Sequence, residues 1–421
     1  MKSNSVLCKK EVKKYMKEKI WTRDFIFVCL SNFFVSLNFY VLATAFPLYV
    51  KDILNGNEQQ MGLAITIYSL GIVLIRPFSG QWVDRFGKKK MAVLGLAIFL
   101  IASIAYFGTS GIIFFLVIRF LHGMSYALSS TATNTIAASL IPTSRQGEGV
   151  GYFSMFMSLA MVIGPACGLY LWKDKNITFL LVAACIISAL SFLFAIAMRV
   201  TQQKQVNPSL VPNTETTKRK KMHWSNFVEV KALPIALLAF LLAFSYSSLS
   251  GFLASFTNEI NQSQVASLFF VVFAMMIVVF RPIVGKAFDK YKEHYLYYPS
   301  ILLFGFGLLL LSGSHSGKMV LLSGLIMGIG YGALFSCFQA LTVKVSPIHR
   351  RGIATATFLL AFDMGYGVGS YFMGVIASII SYSMMYAIAG VIILLSTILY
   401  YLLHHRPQAK RTNQEHHAKI I

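Results

Sequence analysis

The chain of 421 residues is 56% hydrophobic and only 12% charged, a balance far too apolar for a water-soluble globule and typical of a polytopic membrane protein. A formal net charge of +22 would suit a nucleic-acid binder, but the cations lie between the apolar runs rather than along a folded basic face, which excludes that class. The five cysteines, Cys8, Cys29, Cys167, Cys185 and Cys337, form no CxxC pair. Neither a structural disulfide nor a metal cluster is therefore expected.

The first stretch, residues 1–24, is a basic tail from Lys2 to Arg23 without a small-residue cleavage site, so a removable signal peptide is not expected. Runs of about 20 apolar residues cross a bilayer as helices. Twelve are predicted: 25–50, 61–83, 91–109, 112–138, 147–171, 177–198, 233–257, 265–287, 296–314, 319–343, 353–378 and 384–403. The fold class is thus all-α and polytopic. Of the 37 Lys and Arg, only Lys51, Lys173, Lys175 and Lys318 fall in the odd-numbered connections, and Arg76, Arg119 and Arg281 fall in or at the ends of spans. The other thirty lie in the tails and the even-numbered connections, counting Lys286 at the end of the eighth span with the connection that follows it, which places both termini in the cytoplasm.

The chain repeats. A gapless shift of 205 residues lays Arg76-Pro77 on Arg281-Pro282, Gly80 on Gly285, Asp84 on Asp289, Gly123 on Gly328, Tyr126 on Tyr331, Arg145 on Arg350 and Gly164 on Gly369. Two six-helix bundles follow, 25–199 and 230–404, joined by a linker over 200–229 and ended by a basic tail over 405–421. Parallel repeats of this kind relate two halves by an axis along the membrane normal, with a cavity between them. The basic run Lys218–Lys221 in the linker needs no ligand beyond anionic lipid.

Between the second and third spans stands Gly80-x-x-x-Asp84-Arg85-x-Gly87-Lys88-Lys89. This run, with its weaker copy at Gly285 and Asp289, resembles the signature motif of the major facilitator superfamily, and spans and repeat extend the resemblance over nearly the whole chain. Gly80 would allow two helices to approach closely, and Asp84 could accept hydrogen bonds from a helix N-terminus or pair with an arginine. The resemblance implies a cytoplasmic latch closing on the eleventh helix.

Three further constellations bear on function. Gly164-Pro165-Ala-Cys-Gly168 resembles the fifth-helix motif of proton-coupled drug antiporters, with Ala160 and Leu169 where that motif has glycine; ordinary kinked packing is the other reading. Arg119-x-x-His122-Gly123 resembles the family's RxxQG element with His122 in place of glutamine. Arg119, His122, Tyr126, Ser130 and Thr133 recur every three or four residues as a polar stripe. Arg119 is expected to face a cavity or partner, and His122 either titrates or packs. Asp363 is the one acid deep in a span, either a proton carrier or a structural partner of the motif around Asp84. The first span offers no mid-membrane acid, only Asn38, Tyr40 and Thr44.

The expected activity is transport of a small molecule rather than catalysis. The leading expectation is proton-coupled export of small amphipathic compounds by alternating access, driven by the proton gradient without cofactor or metal. The alternatives are a dedicated exporter of a metabolite or metal chelator, a nutrient symporter, or a transport-dead receptor or scaffold. A monomer in the cell membrane, in contact with lipid, its small-molecule substrate and no nucleic acid, is expected. Phe240, Phe244, Phe252, Phe256, Phe269, Phe270 and Phe273 are candidates for an aromatic cavity wall.

Overall fold

A computed structural model describes residues 19–142, 145–199, 228–290, 293–347 and 350–406. The N-terminal tail to residue 18, the linker over 200–227 with its Lys218 run, and the tail from 407 lie outside the described residues. So do the side chains of Asp84, Gly285 and Asp289, which are placed only by their helices.

Among the described residues twelve long helices follow in order: α1 (Arg23–Asp52), α2 (Glu58–Phe86), α3 (Lys88–Ala105), α4 (Ile112–Leu140), α5 (Gln146–Trp172), α6 (Ile177–Ala197), α7 (Leu233–Glu259), α8 (Val265–Lys290), α9 (His294–Ser312), α10 (Gly317–Val345), α11 (Arg351–Ile379) and α12 (Tyr382–Tyr400). Among the described residues eleven are long and apolar enough to cross a bilayer, and α8 carries a shorter apolar run, Val265–Phe280. Their starts follow local chemistry. Thr22, Asn176 and Ser381 accept the N–H three residues on, and Asn57 forms a reciprocal capping box with Gln60. Pro47, Pro77, Pro165 and Pro299 lie inside helices, as neighbouring spans permit in a membrane protein.

The packing repeats as the sequence does. In the first half α1 packs on α5 and α6, α4 on α2 and α3, and α3 on α6. In the second, α7 packs on α11 and α12, α10 on α8 and α9, and α9 on α12. Equivalent glycines make equivalent contacts: a Cβ on Gly123 would stand 2.0 Å from the Tyr68 carbonyl oxygen, and one on Gly328 2.5 Å from that of Phe273. Glycine is required there because helix backbones meet directly. Rings and branched chains such as Ile101, Ile113 and Ile186 point outward, as expected of helices whose outer solvent is lipid.

The halves meet mainly where α2 lies along α11 and α5 along α8. The α2–α11 seam is tight at the end bearing the α1–α2 loop. Cβ atoms on Gly374, Gly62 and Gly367 would meet Glu58 O at 2.6 Å, Ser370 O at 2.4 Å and Ser69 Cβ at 2.4 Å. Thr66 Oγ1 donates to Gly367 O at 2.7 Å. At the other end of α2, a Cβ on Gly80 would meet nothing within 4 Å. The expected close approach at Gly80 is thus not made in this conformation, because the seam is drawn together near Glu58 instead.

Candidate functional site

The glycine-marked motif is less a loop than a joint between two helices. Asp84 and Arg85 belong to the last turn of α2, Lys88 opens α3, and a single residue, Gly87, separates them. Gly87 has φ of 99°, a left-handed conformation that a Cβ would strain, and its N–H still caps Val83 O at 3.1 Å. The exposed Arg85 lies over the Phe86 ring. Lys89 Nζ donates to Met198 O just past α6, so a motif cation satisfies a carbonyl at a helix C-terminus.

One pair ties the halves electrostatically. Arg76, one turn before Gly80 on α2, places Nη2 2.6 Å from Asp363 Oδ2 on α11, with 14% and 21% of the two side chains exposed. Asp363 Oδ2 and Arg76 Nε make no conventional hydrogen bond, so the contact is an ion pair set by proximity more than by angle. Asp363 therefore stands against α2, close to the motif but facing Arg76.

The polar stripe of α4 turns into its own bundle. Arg119 is fully buried, donates from Nε to Ala64 O at 2.9 Å, and lies 4.4 Å from the Tyr68 ring centroid and 5.2 Å from that of Phe46. Among the described residues it makes no ion pair, and the rings supply the cation–π contact. His122 places Nδ1 3.2 Å from the Tyr106 hydroxyl and Nε2 3.4 Å from Ser103 Oγ. Ser103 continues to Ser188 Oγ at 2.8 Å, and Ser188 to Asn38 Nδ2 at 2.9 Å. A hydrogen-bonded chain thus crosses α1, α3, α4 and α6. Tyr126 is buried against the rings of Phe39, Tyr68 and Phe99, while His122 sits in this intrabundle chain. Thr133 hydrogen-bonds Asn32, and Ser130 its own helix. Thr44 likewise bonds back to Tyr40 O at 3.2 Å.

Pro165 and its glycines pack α5 onto α1. A Cβ on Gly164 would stand 2.3 Å from Tyr40 Cβ, and one on Gly168 2.5 Å from Val41 O. Tyr40 belongs to an aromatic cluster spanning both halves. Phe39 meets Tyr40, Tyr68 and Tyr126 at ring-centroid distances of 4.8, 5.0 and 5.5 Å, and reaches Tyr366 of α11 at 5.8 Å. Tyr366 continues to Tyr246 at 6.2 Å, and Tyr246 to Tyr331 at 4.6 Å. Tyr331 hydroxyl contacts Met161 Sδ of the first half at 3.7 Å. The hydroxyls of Tyr68 and Tyr246 are buried without hydrogen-bond partners among the described residues. This tyrosine cluster was not singled out from sequence, although Tyr126 and Tyr331 are equivalent under the repeat. Of the phenylalanines that were singled out, Phe273 meets Tyr246 at 6.2 Å and Tyr331 at 5.6 Å, while Phe252 and Phe256 pack against Tyr382 and Tyr386, and Phe269 against Phe270 and Phe273.

The family model described as Major Facilitator Superfamily matches residues 28–298 and 235–420. The chain belongs to that superfamily. As a superfamily transporter, and not an enzyme, it is 22% identical over 376 residues to the Staphylopine export protein of Staphylococcus aureus, covering 86% of this chain and 91% of that one. It is 24% identical over 347 residues to the Multi-drug resistance efflux pump PmrA of Streptococcus pneumoniae, covering 79% and 84%. The Multidrug resistance protein 2 of Bacillus subtilis is 33% identical over 156 residues, 36% of this chain and 38% of that protein. Among solved structures, a bacterial homologue of the human lysosomal transporter Spinster, inward-facing and unoccupied, aligns with a TM-score of 0.69 at 16% identity over 90% of this chain and 96% of its own. The nucleoside transporter NupG aligns at 0.67 and 14%, covering 91% and 98%. These likenesses establish the superfamily fold.

Proposed function

We propose that this transporter exports small amphipathic compounds in exchange for protons, by rocking of its two halves about the tyrosine cluster. The observation that carries the coupling is the Arg76–Asp363 pair. It joins the halves through one carboxylate, 2.6 Å from its cation, and a proton on Asp363 cancels the attraction. Leaving Arg76 without its partner then favours separation of α2 from α11, which links proton uptake to movement. The relatives named as a multi-drug resistance efflux pump and a multidrug resistance protein support a drug-like substrate, and the aromatic cluster with spare hydroxyls suits an amphipathic one. Under this reading the tails and the Gly80 end face the cytoplasm of a cell whose plasma membrane holds the protein as a monomer.

A second reading is favoured by the relative matched over 91% of its length, whose name is that of a staphylopine exporter: a dedicated exporter of one compound. Everted vesicles carrying an inside-acid gradient separate the two. A broad cation and drug panel should alkalinise the lumen in the wild type and not in Asp363→Asn. Silence to the whole panel favours the dedicated exporter, and full proton-coupled transport by Asp363→Asn removes Asp363 as the coupling group.

A further inference from the structure

The α1–α2 loop end of the interface carries a closed triangle of side chains. Glu58 Oε1, at the first position of α2, accepts from Lys51 Nζ of α1 at 3.2 Å and from the Tyr382 hydroxyl of α12 at 3.0 Å. Lys51 Nζ also donates to the Tyr382 oxygen at 3.1 Å and stands 5.4 Å from that ring's centroid. One residue on, Gln59 Nε2 donates to the Tyr371 hydroxyl of α11 at 2.9 Å. Lys51 and Glu58 come from the first half, and Tyr371 and Tyr382 from the second. Every bond from these tyrosines to Glu58, Lys51 or Gln59 must therefore break if this end is to open.

Charge makes the triangle directional. Glu58 is a helix-first acid, favoured by its own dipole, and a carboxylate receiving two donors binds more strongly than a neutral acceptor. Its side chain is 25% exposed and that of Lys51 39%, so water reaches both. Asp52, the nearest other acid in sequence, is taken by Trp172 Nε1 at 3.2 Å and Lys175 Nζ at 3.5 Å, and Lys51 is left to Glu58. Below the triangle a Cβ on Gly62 would meet Ser370 and one on Gly367 would meet Ser69, so small residues face one another there.

We propose that Lys51, Glu58 and Tyr382, supported by Gln59–Tyr371, form the gate that seals the face opposite the glycine-marked motif. This assignment rests on the alternating-access reading but is tested by accessibility alone, so a failed transport panel leaves it standing. Single cysteines are introduced at Ser69, inside the seam, or at Gly80, at the far end, in a full-length chain whose native cysteines are replaced. Each is paired with Glu58→Gln or Tyr382→Phe and exposed to a membrane-impermeant maleimide, from outside in intact cells for position 69 and in everted vesicles for position 80. Labelling at 69 should rise about tenfold, the weight of one charge-assisted hydrogen bond, while labelling at 80 falls. Loosening without gating would raise both rates. Wild-type rates at both positions in either gate variant, or a rise at both, would overturn the proposal.

Discussion

Gly123→Ala tests whether direct contact between helix backbones sets the architecture of each half. The new Cβ would stand 2.0 Å from the Tyr68 carbonyl oxygen, against an ordinary contact near 3.5 Å, so α4 must retreat from α2 by roughly 1.5 Å. Overpacking of this kind costs about 1–3 kcal/mol, and the better helix propensity of alanine returns about 1 kcal/mol. The retreat also strains the bond from Arg119 Nε to Ala64 O, 2.9 Å long on the same seam, and a buried guanidinium deprived of its acceptor adds about 1–3 kcal/mol. A net loss of about 1–5 kcal/mol is expected. The assay is thermal unfolding of the detergent-solubilised chain, followed by reactivity of the buried Cys29 and Cys337 toward a thiol dye. The midpoint should fall by several degrees for Gly123→Ala, while Gly80→Ala, whose added Cβ meets nothing within 4 Å, should hold or rise slightly. An unchanged midpoint for Gly123→Ala, or an equal fall in both variants, would refute the backbone-contact reasoning.

Gly87→Ala forces a side chain into φ of 99° and should cost about 1–2 kcal/mol, read as a lower midpoint in the same assay. Ser188→Ala removes the middle of the chain from His122 to Asn38 and strands buried donors, so a loss of about 1–3 kcal/mol should appear there as well. Glu229 is held below the usual carboxylate range chiefly by donation from Arg350, with burial opposing and the Lys231 N–H assisting. Its contribution is therefore present above the ordinary carboxylate value and lost as pH falls through the lowered one. Glu229→Gln should flatten that part of the fall in unfolding midpoint on acidification, and an unaltered acid limb would show that the contact is not part of it.

The spans and the repeat were legible because hydrophobic length and residue spacing survive in one dimension. Helix ends were less so: α2 runs on through Asp84 and Arg85 to Phe86, since a helix continues past its apolar run until a backbone break such as Gly87 ends it. Asp363 was visible as a deep acid, but its partner Arg76 lies on another half of the fold, and no periodicity links them. The spacing of the α4 residues was legible as one polar stripe, but not which element each step would meet. A helix wedged among α1, α2 and α3 presents neighbouring steps of the same stripe to different elements, so Arg119 and His122 point into their bundle while Tyr126 reaches the aromatic cluster. Tyr40 and Tyr126 were named from the sequence but Tyr68, Tyr246, Tyr331 and Tyr366 were not tied to them as one cluster, because a phenol in a span resembles ordinary packing until two halves bring six of them together.

The composition of the α2–α11 seam has a kinetic meaning. Where Gly62, Thr66, Ser69, Gly367 and Ser370 meet, the surfaces that part on opening are backbone carbonyls, hydroxyls and hydrogens rather than broad aliphatic faces. Water can hydrogen-bond to such surfaces as it enters, so wetting the seam exposes little apolar area and carries a small hydrophobic penalty. Under the proposed alternating access, the barrier to opening is then concentrated in a few polar bonds at the two ends of the seam, near Glu58 and near Asp363, where single charges would raise or lower it.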